Sequence, residues 1–456
     1  MVTWSLVVTF LSRTVLTTVY NLRALPAPGY GQDLRELRMS SSPTPLSGYQ
    51  YRLLAVLALI NFVNFAARQV FVPLIPLLRG PLNATDEQLG TLQAVLYVVL
   101  AAGSISFGFF ADRFSRKTII AIGILSWSAA TFAGGLATGF IFLLITRAFV
   151  GIGEAAYAPA AQSMISGAFP SEKRASAQAI FASGMLLGGV FGQVMGGIIG
   201  PRQGWQMAFF VLGIAGLLPG IALFGLAEPP RGPRSEAVPI LKILSVPAFV
   251  AMIAAGSCIT FASVSLLTWG VDFAVSYKDF SLREASVMLS VSTLLSLILG
   301  VLCGGFVADR LQKRYSYGRL IAIGVALLLA TPFLLAAILS DEKQVVLGGL
   351  FIAGFFMSWY HGPVTAVIHD MMPRRAHSTS IGWYMLFTQL VGAWGPKITG
   401  KISDLRDLQF GMEIAVAVLV CGGLLMLLVI HFIRRDGLRH PQLESFHAEP
   451  VHEPTK

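Results

Sequence analysis

Twelve apolar stretches, near residues 52–77, 89–110, 118–138, 140–168, 174–199, 205–227, 246–273, 285–308, 318–339, 344–370, 378–402 and 409–433, leave this chain few ways to fold. Each is long enough to cross about 30 Å of hydrocarbon as a helix. A helix satisfies its own backbone N–H and C=O groups, which lipid cannot do. Barrel strands would be about half as long and would alternate in polarity. Composition agrees: 55% of the 456 residues are hydrophobic and 12% charged, with a mean hydropathy of +0.71. That is too little polar surface for a water-soluble body, so the chain reads as an all-α membrane protein.

Between the sixth and seventh stretches lies EPPRGPRSEAVP, Glu228 to Pro239, whose prolines and mixed charges cannot continue a spanning helix. It divides the chain into a six-helix bundle at 51–227, a linker at 228–245 and a second six-helix bundle at 246–433. Each half carries one copy of a charged loop. GFFADRFSRK begins at Gly108, and 305 − 108 = 197 residues later GGFVADRLQKR begins a matching run at Gly305. Both copies follow the second helix of their half, so the chain is an internal duplication with pseudo-two-fold symmetry.

The charges set an orientation. Arg113, Arg116, Lys117, Lys173, Arg174, Arg231, Arg234, Lys242, Arg310, Lys313, Arg314, Arg319, Arg374 and Arg375 fall on one side, and the other side mixes its few basic residues with acids. By the positive-inside rule the linker, both charged loops and both termini are cytoplasmic. The +10 net charge then reflects topology and anionic lipid, and calls for no nucleic acid. Residues 1–50 read as a peripheral or disordered extension and 434–456 as a polar cytoplasmic tail. Trp4 to Tyr20 is short for a span, contains Arg13 and lacks a clear cleavage site, and Met1 and Met39 are both candidate starts. Cys258, Cys303 and Cys421 lie in three different helices without paired spacing, and no metal or nucleophile constellation stands out. No cofactor and no catalytic residue are expected. Asn83-Ala-Thr is a formal glycosylation triplet.

Helical periodicity gathers polar side chains inside the membrane. Asn61, Asn64, Phe65 and Arg68 share a stripe of the first helix; Arg147 and Glu154 lie two turns apart on the fourth. Charges at that depth either line a cavity or pair with each other. In the second half Ser265, Thr268, Trp269 and Asp272 share a face of helix seven, His361, Thr365 and His369 one of helix ten, and Tyr384, Thr388 and Gly392 one of helix eleven. These serve ligand contact or ordinary interhelical hydrogen bonding. Gly184, Gly188, Gly192, Gly196 and Gly200 bare one side of helix five, which suits a close-packed or rocking surface.

The G-x-x-x-D-R-x-x-R-K loop, Gly108 to Lys117, in a six-plus-six chain resembles the major facilitator superfamily over roughly residues 50–434. TRAFVGIGEAAYAPAAQSMIS, FPSEKRASA, YHGPVTAVIHDMMP and GAWGPKITGKISD resemble its Spinster branch, which includes exporters of lysophospholipids and sphingosine phosphate. Organic-anion carriers of the hexuronate type share parts of the first and fourth helices. The resemblance implies a secondary transporter in a bacterial inner (plasma) membrane, expected as a monomer. It would move an amphipathic anionic lipid by alternating access, with protons as candidate coupling ions; a small organic anion such as a sugar acid is the alternative. It implies substrate or proton-coupling roles for Asn61, Asn64, Arg68, Arg147, Glu154, Trp269, His361, Thr365, Tyr384 and Thr388. Gating is implied for Asp112, Arg113, Arg116, Lys117, Asp309 and Arg310. Two departures stand out: Ala67 replaces the acid that both branches usually carry before the arginine, and Gln193 replaces a proline of the antiporter fifth-helix motif. A lipid-modifying enzyme would need a nucleophile or metal set, and a transport-dead sensor would be expected to lose the Asp112 loop, which is intact.

Overall fold

A computed structural model describes residues 46–229, 239–373 and 376–436. The readings of Trp4 to Tyr20, Met39, the tail beyond Asp436, and Arg231, Arg234, Arg374 and Arg375 lie outside the described residues. From Gly48 onward the chain is a bundle of helices with short connections. Span one is α1 (Gly48–Gln69) with α2 (Phe71–Leu78). Spans two to six are α3 (Asp86–Arg113), α4 (Arg116–Gly134), α5 (Phe140–Ala168), α6 (Ser171–Gln203) and α7 (Trp205–Phe224). A short helix, α8 (Ile240–Leu244), then leads into spans seven to nine: α9 (Pro247–Tyr277), α10 (Leu282–Arg314) and α11 (Gly318–Leu339). Span ten is α12 (Lys343–Met357), a 3₁₀ turn at Ser358–Tyr360 and α13 (His361–Met371). Span eleven is α14 (His377–Gly392) with α15 (Gly395–Leu405), and span twelve is α16 (Leu408–Asp436).

Ten of these spans are by themselves long and apolar enough to cross a membrane. The other two, α3 and the broken α14–α15 pair, complete the six-plus-six arrangement. Most helices run a few residues past the apolar stretches, because capping residues carry them into the polar region. Thr85 and Gln88 form a capping box on α3, and Ser281 and Glu284 form another on α10. Just before each box a residue adopts positive φ, Asn83 at 45° and Asp279 at 54°, as their short polar side chains tolerate. The three equivalences share one offset, 279 − 83 = 281 − 85 = 284 − 88 = 196, so the duplication extends to the turns. This also gives Asn83-Ala-Thr a structural role: a left-handed turn residue and a helix cap.

The three broken spans break just before prolines. Pro73, Pro363 and Pro396 supply no N–H to the carbonyls of Gln69, Trp359 and Gly392, and the chain bends at Val70, Ser358–Tyr360 and Ala393–Trp394. The bare face of α6 packs within its own half. A Cβ on Gly184, Gly188 or Gly192 would strike the backbone of Ala58, Phe62 or Ala66 of α1, and one on Gly196 or Gly200 would strike Val70, Pro73, Leu74 or Leu77. The glycine stripe therefore glues span five to span one. Contact with the other half falls on its neighbours instead: Gly197 lies against Ser286, and Ser290 Oγ donates to Gln193 Oε1 at 2.7 Å.

Candidate substrate site and gate

One end of the bundle carries the loops at Phe114–Ser115 and Tyr315–Tyr317, the basic end. At the opposite end the two halves are fastened together. Arg79, just past α2, reaches Asp86 at the start of α3 (2.7 Å) and Asp272 on α9 of the other half (2.8 Å). Asp272 has no exposed side-chain surface. Burial works against the Arg79 charge, but Asp272 and then Asp86 outweigh it and hold the guanidinium above its ordinary pKa. The Asp404 carboxylate of α15 accepts the backbone N–H groups of Asp86 (2.9 Å) and Glu87 (2.8 Å), so an acid of one half caps a helix N-terminus of the other. Ser403 Oγ donates to Asp86 Oδ2 at 2.6 Å. Two glycines permit the approach: Gly90 faces the Pro396 carbonyl, and Gly400 the Asp86 carbonyl. Trp269, fully buried, donates its Nε1–H to that Pro396 carbonyl at 2.9 Å and fixes the bend of span eleven.

The first-half polar residues that the sequence placed inside the membrane divide between one ion pair and one separately packed arginine. Arg68 of α1 is ion-paired with Glu154 of α5, bringing together residues 86 positions apart. The Arg68 guanidinium lies 4.4 Å from the Phe65 ring centroid and 5.7 Å from that of Tyr97. Asn64, on the same stripe, is buried, with its amide nitrogen unbonded. Asn61 instead serves packing, since its amide donates to the Phe181 carbonyl at 2.8 Å and ties α1 to α6. Ala67 is buried at 1% exposure, so no second carboxylate shares Arg68 from that position. Arg147 does not join the pair. It is 2% exposed and packed between Phe71 and Phe209, at 4.1 and 5.3 Å.

In the second half Tyr360 and Tyr384 share a hydrogen bond at 2.6 Å, joining spans ten and eleven at the bend of span ten. His361 is exposed and lies edge-on to Tyr360 at 5.5 Å. Thr388 is buried and bonds its own helix at Tyr384 O, 2.9 Å away. Thr365 is half-buried on α13. His369 stacks on His377 at 4.3 Å, nearer the basic end.

The charged loops hold their own halves. Arg116 is 2% exposed; its Nε donates to Glu228 at 3.0 Å, and its other nitrogens donate to Ser163 and to the Pro229 carbonyl. Lys117 donates to the Phe224 and Leu226 carbonyls at the end of α7. Burial pushes the Glu228 carboxyl up, but Ser115 and the Arg116 side chain and backbone outweigh it and hold the carboxyl below its ordinary value. Arg116 and Lys117 thus pin the start of the linker in this conformation. In the second copy Asp309 pairs with Arg319 at 3.0 Å, and Arg319 also reaches Asp370 at 2.6 Å. Arg113 and Arg310 are exposed, and the Asp112 side chain is not among those described.

Sequence reasoning missed Arg79, Asp86, Ser403 and Asp404 as a constellation. Their only signal was acid and base residues flanking the loops of the less basic side. Asp272 was placed on the right face of α9 without its partner.

Two six-helix halves clamped at one end, with an ion pair inside the membrane portion of one half, define a membrane transporter. The family profile of the Major Facilitator Superfamily matches residues 57–396, and the chain belongs to that superfamily. Among similar proteins, Protein spinster of Drosophila melanogaster is 26% identical over 379 residues, covering 78% of this chain and 62% of the fly protein. Protein spinster homolog 1 of Homo sapiens is 26% identical over 85% of this chain and 82% of its own length. An MFS-type efflux pump of Mycolicibacterium smegmatis is 26% identical over 78% of this chain and 85% of its own. The fold is shared with a bacterial homologue of the human lysosomal transporter Spinster, solved inward-facing and unoccupied (TM-score 0.79, 23% identity, 86% and 99% of the two chains). It is also shared with a D-xylose-proton symporter (TM-score 0.67, 15% identity, 83% and 97%).

Proposed function

We propose that this transporter moves an amphipathic anionic lipid of lysophospholipid or sphingoid-phosphate type by alternating access, with Glu154 as the proton-coupling group. The observation that carries the reading is the setting of Arg68: a cation with 8% of its surface exposed, flanked by the Phe65 and Tyr97 rings. An anionic headgroup can meet the guanidinium while apolar chain lies along aromatic surface. Tyr360, His361 and Tyr384 offer hydroxyl and imidazole partners from the second half, and Asn64, Thr365 and Thr388 line the same helices. The bonds across the Arg79 and Asp404 end support a conformation open toward the basic end, with Asp112, Arg113, Arg116, Lys117, Asp309 and Arg310 gating that side in the alternate state. The test is uptake into proteoliposomes, in which a radiolabelled lysophospholipid is accumulated, faster with a pH gradient than without, and a labelled sugar acid is not. Accumulation of the sugar acid alone would overturn the lipid reading.

The basic end is taken as cytoplasmic, in a bacterial inner membrane, with the domain limits at 51–227, 228–245 and 246–433 and both termini on that side. Pro81 and Ser316 are both exposed, at opposite ends of the bundle. In a Cys-free background Pro81→Cys should react with an impermeant thiol reagent on intact cells, and Ser316→Cys should react only after permeabilisation. The reverse pattern overturns the orientation.

A further inference from the structure

At the basic end of the second half, helix ends frame a cavity of about 300 Å³ that the candidate substrate site does not use. Four spans contribute to it: Gln312 near the end of α10, Tyr317 and Leu320 at the start of α11, Met371 at the end of α13 and Ile433 near the end of α16. Leu320, Val367, Met371 and Ile433 supply apolar lining. Ser316 and Tyr317 supply hydroxyls that have no hydrogen-bond partner among the described residues.

The charged and amide groups of the lining are already committed to each other. Arg319 donates from all three nitrogens, to Asp309 at 3.2 and 3.0 Å and to Asp370 at 2.6 Å. The Gln312 amide donates to the Ser316 carbonyl and accepts the Arg319 N–H. The cations of the rim are not committed. Arg434 follows Ile433, is exposed, and holds its Cζ 5.2 Å from the ring centroid of Tyr317. Lys313 follows Gln312 and is exposed. Neither forms an ion pair among the described residues. Arg310, Lys313, Arg314, Arg319, Arg434 and Arg435 stand against Asp309, Asp370 and Asp436, a formal +6 − 3 = +3. Such a surplus of one sign attracts an anion.

Two features select a lipid over a free phosphate. Leu424, Leu428 and Arg435 share one face of α16, at spacings of four and seven, and the leucines are 53% and 45% exposed. Arg435 therefore ends a stripe that faces the bilayer, at the level where headgroups lie. The second feature is the apolar lining, which a hydrated phosphate cannot use. A volume of about 300 Å³ admits a short segment of chain but no whole lipid. We infer that the cavity takes an anionic diacyl phospholipid from the leaflet that the basic end faces. Its phosphate meets Arg434 and Lys313, with the Ser316 and Tyr317 hydroxyls as further donors. The start of one chain covers Leu320, Val367, Met371 and Ile433. Basic pockets between spanning helices suit such headgroups. The bound lipid ties together the ends of spans eight, nine, ten and twelve, in the half that does not contain Arg68.

The experiment uses purified full-length protein in mixed micelles of detergent and phosphatidylcholine, without transport substrate, so its outcome is independent of what is carried. Thermal unfolding is followed as phosphatidylglycerol replaces phosphatidylcholine at constant ionic strength, with soluble glycerol 3-phosphate as a separate arm. The expected result is a saturable rise in midpoint with phosphatidylglycerol and none with glycerol 3-phosphate. A phosphatidylglycerol with a photoreactive group near the start of one chain should label peptides around Met371 or Ile433. Arg434→Gln combined with Lys313→Gln, both exposed positions, should weaken the apparent affinity at least tenfold. Met371→Trp fills the cavity, keeps every cation, and should weaken it severalfold. An equal response to glycerol 3-phosphate would make the site one for free phosphate and overturn the lipid. Labelling confined to other helices, or an undiminished response in the double variant, would overturn the site. An undiminished response in Met371→Trp would show that surface charge acts alone and that no chain enters the cavity.

Discussion

Replacing Arg79 by alanine should release the fastened end of the transporter and move most molecules out of the conformation described above. Asp272 has no exposed side-chain surface, and Arg79 is its ion-pair partner. Removing one member of a buried pair costs about 3–5 kcal/mol, because the remaining charge stays desolvated. Arg79 is itself 38% exposed in its side chain, so solvent already screens part of the pair and the lower end of that range applies. Even about 3 kcal/mol changes a two-state ratio by roughly two powers of ten, enough to invert a modest preference. The cost falls on one state only, since separation of the halves lets water reach Asp272. Spin labels at Gly80 and Leu405, exposed positions on opposite halves, report the opening. Wild type should show mainly the short distance and Arg79→Ala mainly a longer one. Asp272→Asn, which removes the charge in need of a partner, should shift the distribution less. An unchanged distance distribution in Arg79→Ala would mean that the Asp404 contacts and the helix packing close this end without it.

The contrast between what sequence disclosed and what it hid is physical. Span number, the six-plus-six division and the repeated loop are written in local hydropathy and in one motif, so they are legible within a window of about 20 residues. The Arg68–Glu154 pair was within reach because intramembrane charge is costly and few partners exist. The latch was not, since Arg79 and Asp272 are 193 positions apart and each looks like an ordinary charge near a helix end. Trp269 shares its helix face with Ser265 and Thr268 as expected, yet its indole is spent on a bend whose existence the sequence does not declare. Prolines alone do not mark such bends: Pro159, Pro219 and Pro332 sit inside unbroken helices, whereas Pro73, Pro363 and Pro396 follow breaks. Whether a helix breaks depends on which neighbour takes up the freed carbonyls, and that is tertiary information. The glycine stripe shows the same limit. Its spacing predicted close approach, but only the packing shows that the partner is span one of the same half.

Glu154→Gln should produce the largest functional loss of any single substitution in the first half. The amide keeps the shape of the side chain and one acceptor for Arg68, and removes the charge. The buried group then rises from +1 to +2 in formal charge, counting Arg68 and Arg147. Two consequences can be read separately. Stability should fall by about 3–5 kcal/mol if the pair acts as a buried ion pair, and Arg68→Gln introduced into the Glu154→Gln protein should recover part of it. Transport should lose its response to a pH gradient while downhill flux persists, because the amide stands in for the protonated acid and can no longer exchange a proton. The measurement is lysophospholipid uptake into proteoliposomes at two internal pH values, set beside thermal unfolding of the same preparations. If Glu154→Gln is destabilised but retains the pH response of wild type, the carboxylate only anchors Arg68 and the coupling proton is carried elsewhere. If the pH response disappears while Arg68→Gln retains it, the proton binds Glu154 whether or not the arginine is present, and the pair's role is to position the acid.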